Sequence, residues 1–222
     1  MAGRPDFTWL EVYGVALLSG VVTTIELIVV TTLLSFVLSV LGAAARRSDV
    51  AWCRAAVGGY VELIRNTPFI AQLFFIYFGL PSLGLHLNAM PAAILAMTIN
   101  LGAYGTEIVR AGLDAVAPGQ NEAGRALGLR PPIIFLRIVL PQAMRAIFPA
   151  LASQIVITML ESSVVSVIAV RDLTYQADLI QSRTFQAFRI YLLATLIYLA
   201  LSVLLRRILG FSARRLFGAG VG

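Results

Sequence analysis

The run Glu122-Ala123-Gly124-Arg125-Ala126-Leu127-Gly128, followed after nine residues by Ile138-Val139-Leu140-Pro141, is a polar, helix-compatible island in a chain otherwise built for lipid. Around it, 59% of the 222 residues are hydrophobic, 13% are charged and the mean hydropathy is +0.88. A soluble domain of this length does not need that much apolar surface, so the bilayer is the expected solvent. A polar island tied to the membrane on both sides is where a membrane protein can receive force from a soluble partner.

Working outward from the island, apolar runs of bilayer length divide the chain. From Val12 to Ala45 the only charge is Glu26, and about 20 apolar helical residues suffice to cross the hydrocarbon core. The pattern predicts one all-α transmembrane domain over residues 1–222, with five helices at about 13–45, 56–80, 91–112, 147–170 and 190–208. The island belongs to a cytoplasmic loop at about 113–145. Residues 81–91 and 171–189 read as loops on the other side, rich in proline, glycine or polar residues. The fifth span has 16 uncharged residues, Ile190 to Leu205, before Arg206-Arg207, and arginine snorkelling extends it.

All 17 basic residues are arginine. A P-loop needs a lysine on the β/γ-phosphates, so ATP hydrolysis, if the protein uses it, sits on another subunit. The pI near 10.1 would point to nucleic acid in a soluble protein. In a membrane chain arginines set topology, so no nucleic-acid partner is expected. Twelve arginines fall in segments 46–54, 110–145 and 206–215, against four at the N-terminus and in 171–189. That asymmetry places the N-terminus outside and the C-terminus in the cytoplasm. The N-terminus is not expected to be a cleavable signal, because Arg4 is followed by Asp6 and Glu11 and the apolar run is too long. Cys53 is the sole cysteine, and His86 with scattered carboxylates forms no metal-ligand cluster, so no metal or cofactor is expected in this chain.

Within the island, Pro118-Gly119 stops any preceding helix and Asn121 can N-cap a new one, which puts Glu122 in the first turn. Ala123, Gly124 and Ala126 are small enough for a partner's surface to approach the backbone. Gly128 suits a left-handed cap, and Pro131-Pro132 pre-sets the next helix. A helix of about two turns results.

This pattern resembles the cytoplasmic EAA loop of ABC-importer permease subunits, with Glu122, Ala123, Gly128, Ile138, Leu140 and Pro141 at the signature positions. Gly124 stands where that family more often has alanine. Tyr60–Pro68, Gln72–Pro81, Gly102-Ala103-Tyr104, Glu107–Gly112, Pro141-Gln142-Ala143 and Ser166-Val167-Ile168 extend the resemblance to the polar amino acid importers over about residues 15–210. The resemblance implies a type I importer permease for a polar amino acid or an opine-like compound, a multi-pass protein of the bacterial inner membrane. It implies two ABC ATPase subunits that bind ATP and Mg, a periplasmic solute-binding protein and a second permease, identical or sister. The docking loop would couple through Glu122, Ala123, Gly124, Gly128, Ile138, Leu140 and Pro141.

Ionisable and polar groups inside the spans are the other candidates, since each charge there costs about 2.5–3.5 kcal/mol. Glu62 and Arg65 lie three apart, able to neutralise each other, just before Thr67 and the helix-breaking Pro68. Glu107 and Arg110 repeat that spacing. Glu161, followed by Ser162-Ser163, has no opposite charge within a turn and should face a wet cavity or a cationic partner. In the family this stretch typically reads Lys-Asp-Thr-Ser, so Glu161 matches the acid while Leu160 replaces the lysine. Asn100 can line a pathway or join two helices, and Glu26 sits among Thr23, Thr24, Thr31 and Thr32. The alternative function is an ATP-independent secondary transporter or channel for a small polar solute. A membrane scaffold is a third reading, and it leaves Glu161 and Pro68 unexplained.

Overall fold

A computed structural model describes residues 8–217, so Arg4 and Asp6 lie outside the described residues. Regular structure among the described residues is helical throughout. Helix α1 (Thr8–Arg46) has 39 residues, about 58 Å at 1.5 Å per residue, well beyond the hydrocarbon thickness. Val12, Val15, Leu18, Val22 and Val29 stay exposed on it. With no element of this chain over them, these side chains form an uncovered apolar face of the kind a bilayer solvates.

Helix α4 (Ala89–Asp114) is the central post, and small residues explain how α1 comes so close to it. A methyl group added at Gly105 would strike Ser39, and one at Gly42 would strike Thr106. Ser35 Oγ donates to the Thr98 carbonyl at 3.2 Å across the same seam. Packing of small residues and shared hydroxyls drives such contacts in lipid, where no hydrophobic force holds helices together.

The stretch expected as one span at 56–80 is instead a broken pair. Helix α2 (Ala51–Arg65) ends, the chain passes Asn66-Thr67-Pro68, and a second arm, Phe69–Leu83, leaves at 111°. That arm starts as α3 (Phe69–Phe74) and passes through a π-helical turn, Phe75–Gly79, into a short 3-10 turn. Pro68 fixes φ near −63° and has no N–H to donate back into α2, so the helix cannot continue. Among the described residues, four other helices are long and apolar enough to cross a membrane, and counting the bent pair as one span gives five.

Helix α5 (Gly119–Ala126) is followed by a nearly unbroken 38-residue rod, Pro131–Ile168. The rod comprises α6 (Pro131–Ile134), a π-helical turn at Phe135–Val139, α7 (Leu140–Glu161) and a 3-10 segment, Ser162–Ile168. Both π turns precede a proline by two residues: Pro81 and Pro141 cannot bond the carbonyl four residues back, and the wider turn absorbs the mismatch.

Residues 171–189 are not a simple polar loop. They form α8 (Leu173–Thr184), whose Leu173, Ala177 and Ile180 bury against Leu17 of α1 and Ile190 and Ala194 of α9 (Ala187–Phe217). The fifth span, expected to be short, is a 31-residue helix, because Arg206, Arg207, Arg214 and Arg215 are good helix formers and continue the last turns.

Candidate functional site

Two places concentrate the polar residues singled out in the sequence, and both lie toward the end of the bundle where α1 and α4 finish. The first is α5 with the start of the rod. Its N-cap is Pro118 rather than Asn121, which lies inside the helix; the Asn121 and Glu122 amides both return to the Pro118 carbonyl, at 3.0 and 3.3 Å. Glu122 therefore still sits in the first turn, where its carboxylate complements the helix dipole. The far end closes as a Schellman motif: Leu129 N–H reaches the Gly124 carbonyl at 3.0 Å and Gly128 N–H reaches Arg125 at 2.9 Å. Gly128 takes φ +71°, the left-handed conformation that glycine adopts without a Cβ penalty.

Gly124 departs from the expectation of a partner-facing position. It is buried, and a Cβ there would lie 2.8 Å from Ile134 Cγ1 and 3.0 Å from its Cδ1. The small residue thus serves contact within the chain, seating α5 on the rod. Gln142 Nε2 adds a bond to Gln120 Oε1 at 3.4 Å. Glu122, Ala123, Ala126 and Leu127, the last 78% exposed, make up the outward face. Ile138, Leu140 and Pro141 are half-buried at the π turn and the start of α7, so the signature residues divide between the exposed face of α5 and its attachment to the rod.

The second place is a cavity of about 440 Å³ lined by Arg46, Gly58, Val61, Glu62, Arg65, Asn66, Tyr104 and Glu107. At its rim Glu107 pairs with Arg110 at 2.8 Å and with Arg46 at 3.6 Å. Arg110 also pairs with Asp114 at 2.8 Å, and Asp114 with Arg47. The expected Glu107–Arg110 pair is therefore present within a five-residue network. The expected Glu62–Arg65 pair is not formed. Arg65 lies over the Tyr104 ring, 5.4 Å from its centroid, and the Glu62 side chain has no partner among the described residues.

The bend beside this cavity has its own clasp. Gln72 Nε2 donates to the carbonyls of Ile64 at 2.8 Å and Thr67 at 3.1 Å and to Thr67 Oγ1 at 2.9 Å. The two carbonyls are backbone acceptors beside the break at Pro68, and the third acceptor is a side-chain hydroxyl. Buried Asn100 Nδ2 then donates to Gln72 Oε1 at 3.0 Å, and its own Oδ1 has no partner. Asn100 acts as a joint between α4 and the broken span. Gln72 was visible in the sequence only as part of a motif; its position four residues past a helix-breaking proline is the signal.

Glu161 does not line the cavity. It is half-buried at the change from α7 to the 3-10 segment and makes no hydrogen bond or ion pair among the described residues. Ser162 is buried and Ser163 half-buried, and their hydroxyls return to the Met159 and Leu160 carbonyls at 2.6 and 2.8 Å. Glu26 is exposed on α1, while Thr24 and Thr31 are buried.

Asp172, outside the spans, was not anticipated. Fully buried, it caps α8 by accepting from Tyr175 N–H at 2.9 Å and takes a further bond from Tyr198 Oη at 3.1 Å. Burial pushes its carboxyl up to about 6 despite those bonds. Gly20 on α1 leaves room for the backbone of Asp172 and Leu173, and Leu173 N–H reaches Thr24 Oγ1 at 3.3 Å. The pattern Asp-Leu-Thr-Tyr, an N-cap residue opening a helix, is the signal that locates it.

Residues 35–218 match the family model for the binding-protein-dependent transport system inner membrane component. The chain is 40% identical over 172 residues to the probable glutamine ABC transporter permease protein GlnM of Bacillus subtilis, covering 76% of this chain and 78% of that one. It is 35% identical over 202 residues to the nopaline transport system permease protein NocM of Agrobacterium fabrum, covering 86% and 84%. Its fold superposes on the crystal structure of an amino acid ABC transporter with histidines at a TM-score of 0.88 and 35% identity, over 96% of this chain and all of that one. An inward-facing MetNI methionine ABC transporter aligns at a TM-score of 0.73 and 20% identity, which supports the same fold.

Proposed function

Because the chain belongs to the family of binding-protein-dependent transport system inner membrane components, with the type I ABC importer permease fold, we propose that it forms the translocation pathway for a polar amino acid or an opine-like derivative. The family makes it a multi-pass inner-membrane permease of an amino acid importer. The finer reading concerns coupling. A periplasmic solute-binding protein delivers substrate, two ABC ATPase subunits hold ATP and Mg, and α5 carries their closure into the spans of this chain and of a second permease.

One observation carries this reading: α5 presents Glu122, Ala123 and Leu127 outward while Gly124 seats it on a continuous helical rod. A movement imposed on the outward face is thereby passed to residues 131–168 rather than dissipated in a loop. The rod ends near Glu161, Ser162 and Ser163, which we assign to the pathway together with Glu62, Arg65 and Thr67; Asn100 contributes through the bend. Arginine asymmetry favours an exterior N-terminus and a cytoplasmic α5.

The test is reconstitution of the permease with its ATPase in proteoliposomes. ATP-dependent uptake is expected, with Glu122→Ala reducing both the co-purifying ATPase and uptake. Solute flux that proceeds equally without ATP would return the protein to the secondary-transporter reading.

A further inference from the structure

We propose that the cavity between α1, α2 and α4 is a zwitterion site, in which Arg65 binds the α-carboxylate of an amino acid and Glu62 its ammonium. The proposal rests on the amino acid permease reading and adds the groups that recognise the substrate.

The argument starts from which charges are already used. Of the four charged residues that line the cavity, Arg46 and Glu107 neutralise each other, and Glu107 is also held by Arg110. Glu62 is left without a partner, and Arg65, though within electrostatic reach of Glu107, makes no hydrogen bond or ion pair with it among the described residues. Glu62 and Arg65 stand three apart on one helix, a spacing that ordinarily brings a carboxylate and a guanidinium together. Arg65 nevertheless lies over Tyr104, and its N–H donors make no hydrogen bond among the described residues. The structure thus holds one cation and one anion on the same wall without letting them pair. Both residues are exposed, so a ligand of opposite polarity that enters the cavity can reach both charges.

The stacking on Tyr104 restricts the guanidinium plane, which prepares its fork for a bidentate carboxylate. The Asn66 side chain amide is taken by the Glu62 carbonyl at 2.7 Å, so it does not compete for the Glu62 carboxylate. A volume of about 440 Å³ falls within the range of about 300–1,000 Å³ typical of small-molecule sites. The cavity lies level with Arg46, the last residue of α1, and with Glu107 near the end of α4, so it adjoins the end of the bundle from which α5 projects. It is placed to hold substrate on that side of the membrane.

The test uses the full permease–ATPase complex in nanodiscs without binding protein. Binding of radiolabelled glutamine, arginine and nopaline is measured, with the α-amide and the N-acetyl form of glutamine as competitors. The intact complex is expected to bind at least one of the three. It should prefer a free carboxylate over the amide, and a free ammonium over the acetamide, by about tenfold or more each. Arg65→Gln should abolish only the first preference and Glu62→Gln only the second. Arg65→Lys should retain part of the first, with the ATPase still co-purifying. Both preferences surviving in both variants would overturn the site, as would no binding by an intact complex that transports. Loss of the assembled complex in Arg65→Lys would also overturn it, by making these residues an assembly contact. Absence of ATP-dependent uptake in the unmodified complex would instead refute the permease reading itself.

Discussion

Replacing Gly124 by alanine separates two physical effects that predict opposite signs. Alanine in a helix interior is favoured over glycine by about 0.8–1.0 kcal/mol. If Gly124 faced solvent or a partner, α5 would therefore become more stable and its amides about fivefold better protected from hydrogen exchange. In the structure the new methyl lies 2.8, 3.0 and 3.2 Å from Ile134 Cγ1, Cδ1 and Cγ2. Two of those atoms branch directly from Cβ, so no rotation of a flexible chain end relieves the contact, and Ile134 is only 2% exposed. Overpacking of this kind costs about 1–3 kcal/mol, which exceeds the propensity gain at all but its lower limit. The net effect is destabilisation of up to about 2 kcal/mol, or protection reduced by up to about 30-fold. Hydrogen exchange read by mass spectrometry on the peptide spanning 119–129 measures it, and the Leu129 and Gly128 amides that close the Schellman motif report the unseating of α5. Uptake per ATP hydrolysed should fall in parallel. Increased protection in Gly124→Ala would refute the inward placement of this residue.

Three further outcomes follow from the geometry. Gln72→Leu removes two N–H donors that share three acceptors and the bond accepted from Asn100 at the broken span, about 0.6 kcal/mol per bond in a membrane interior, and should lower the detergent unfolding midpoint clearly more than Gln142→Leu does. Asp172 has a folded-state value raised to about 6 from 3.8, so the folded protein holds a proton that the unfolded chain releases. Its contribution is complete below about pH 4 and is lost as pH rises through about 6; Asp172→Asn should flatten this part of a thermal-stability profile, and an unchanged slope would count against the burial argument. Glu161→Gln keeps the shape of the side chain and removes its charge. Uptake is expected to fall several-fold, and unchanged uptake with unchanged ATP coupling would remove Glu161 from the pathway.

Much of α5 and its flanks was legible because their cues are local. Pro118-Gly119, the acid at Glu122, Gly128 and Pro131-Pro132 act on their own backbone neighbours, and α5 and the rod begin and end where those residues require. Asn121 was misassigned as the cap because Pro118 supplies the first acceptor carbonyl one turn earlier. The hydropathy of Val12–Ala45, Ala92–Val109 and Ile147–Val170 likewise announced helices, since a bilayer leaves the backbone no alternative to internal hydrogen bonds. The bend after Arg65 was less legible. Proline permits either a kink or a break, and at the observed angle of 111° Gln72 and Asn100 meet across the gap, a pairing between two helices that the local sequence does not contain.

By itself, then, the sequence determined that this is an all-helical membrane protein with a short polar helix suspended between breakers, because chain length in lipid, proline and glycine act through local backbone chemistry. Only the tertiary structure decided how the charges are partnered. Glu107 found Arg110 and Arg46, while Glu62 and Arg65, at the same spacing, remained apart because Tyr104 on another helix took the guanidinium. It also turned Gly124 inward and buried Asp172 between α1, α8 and α9. Such outcomes depend on which helices lie within a few ångströms of one another, a property that spacing along one helix does not contain.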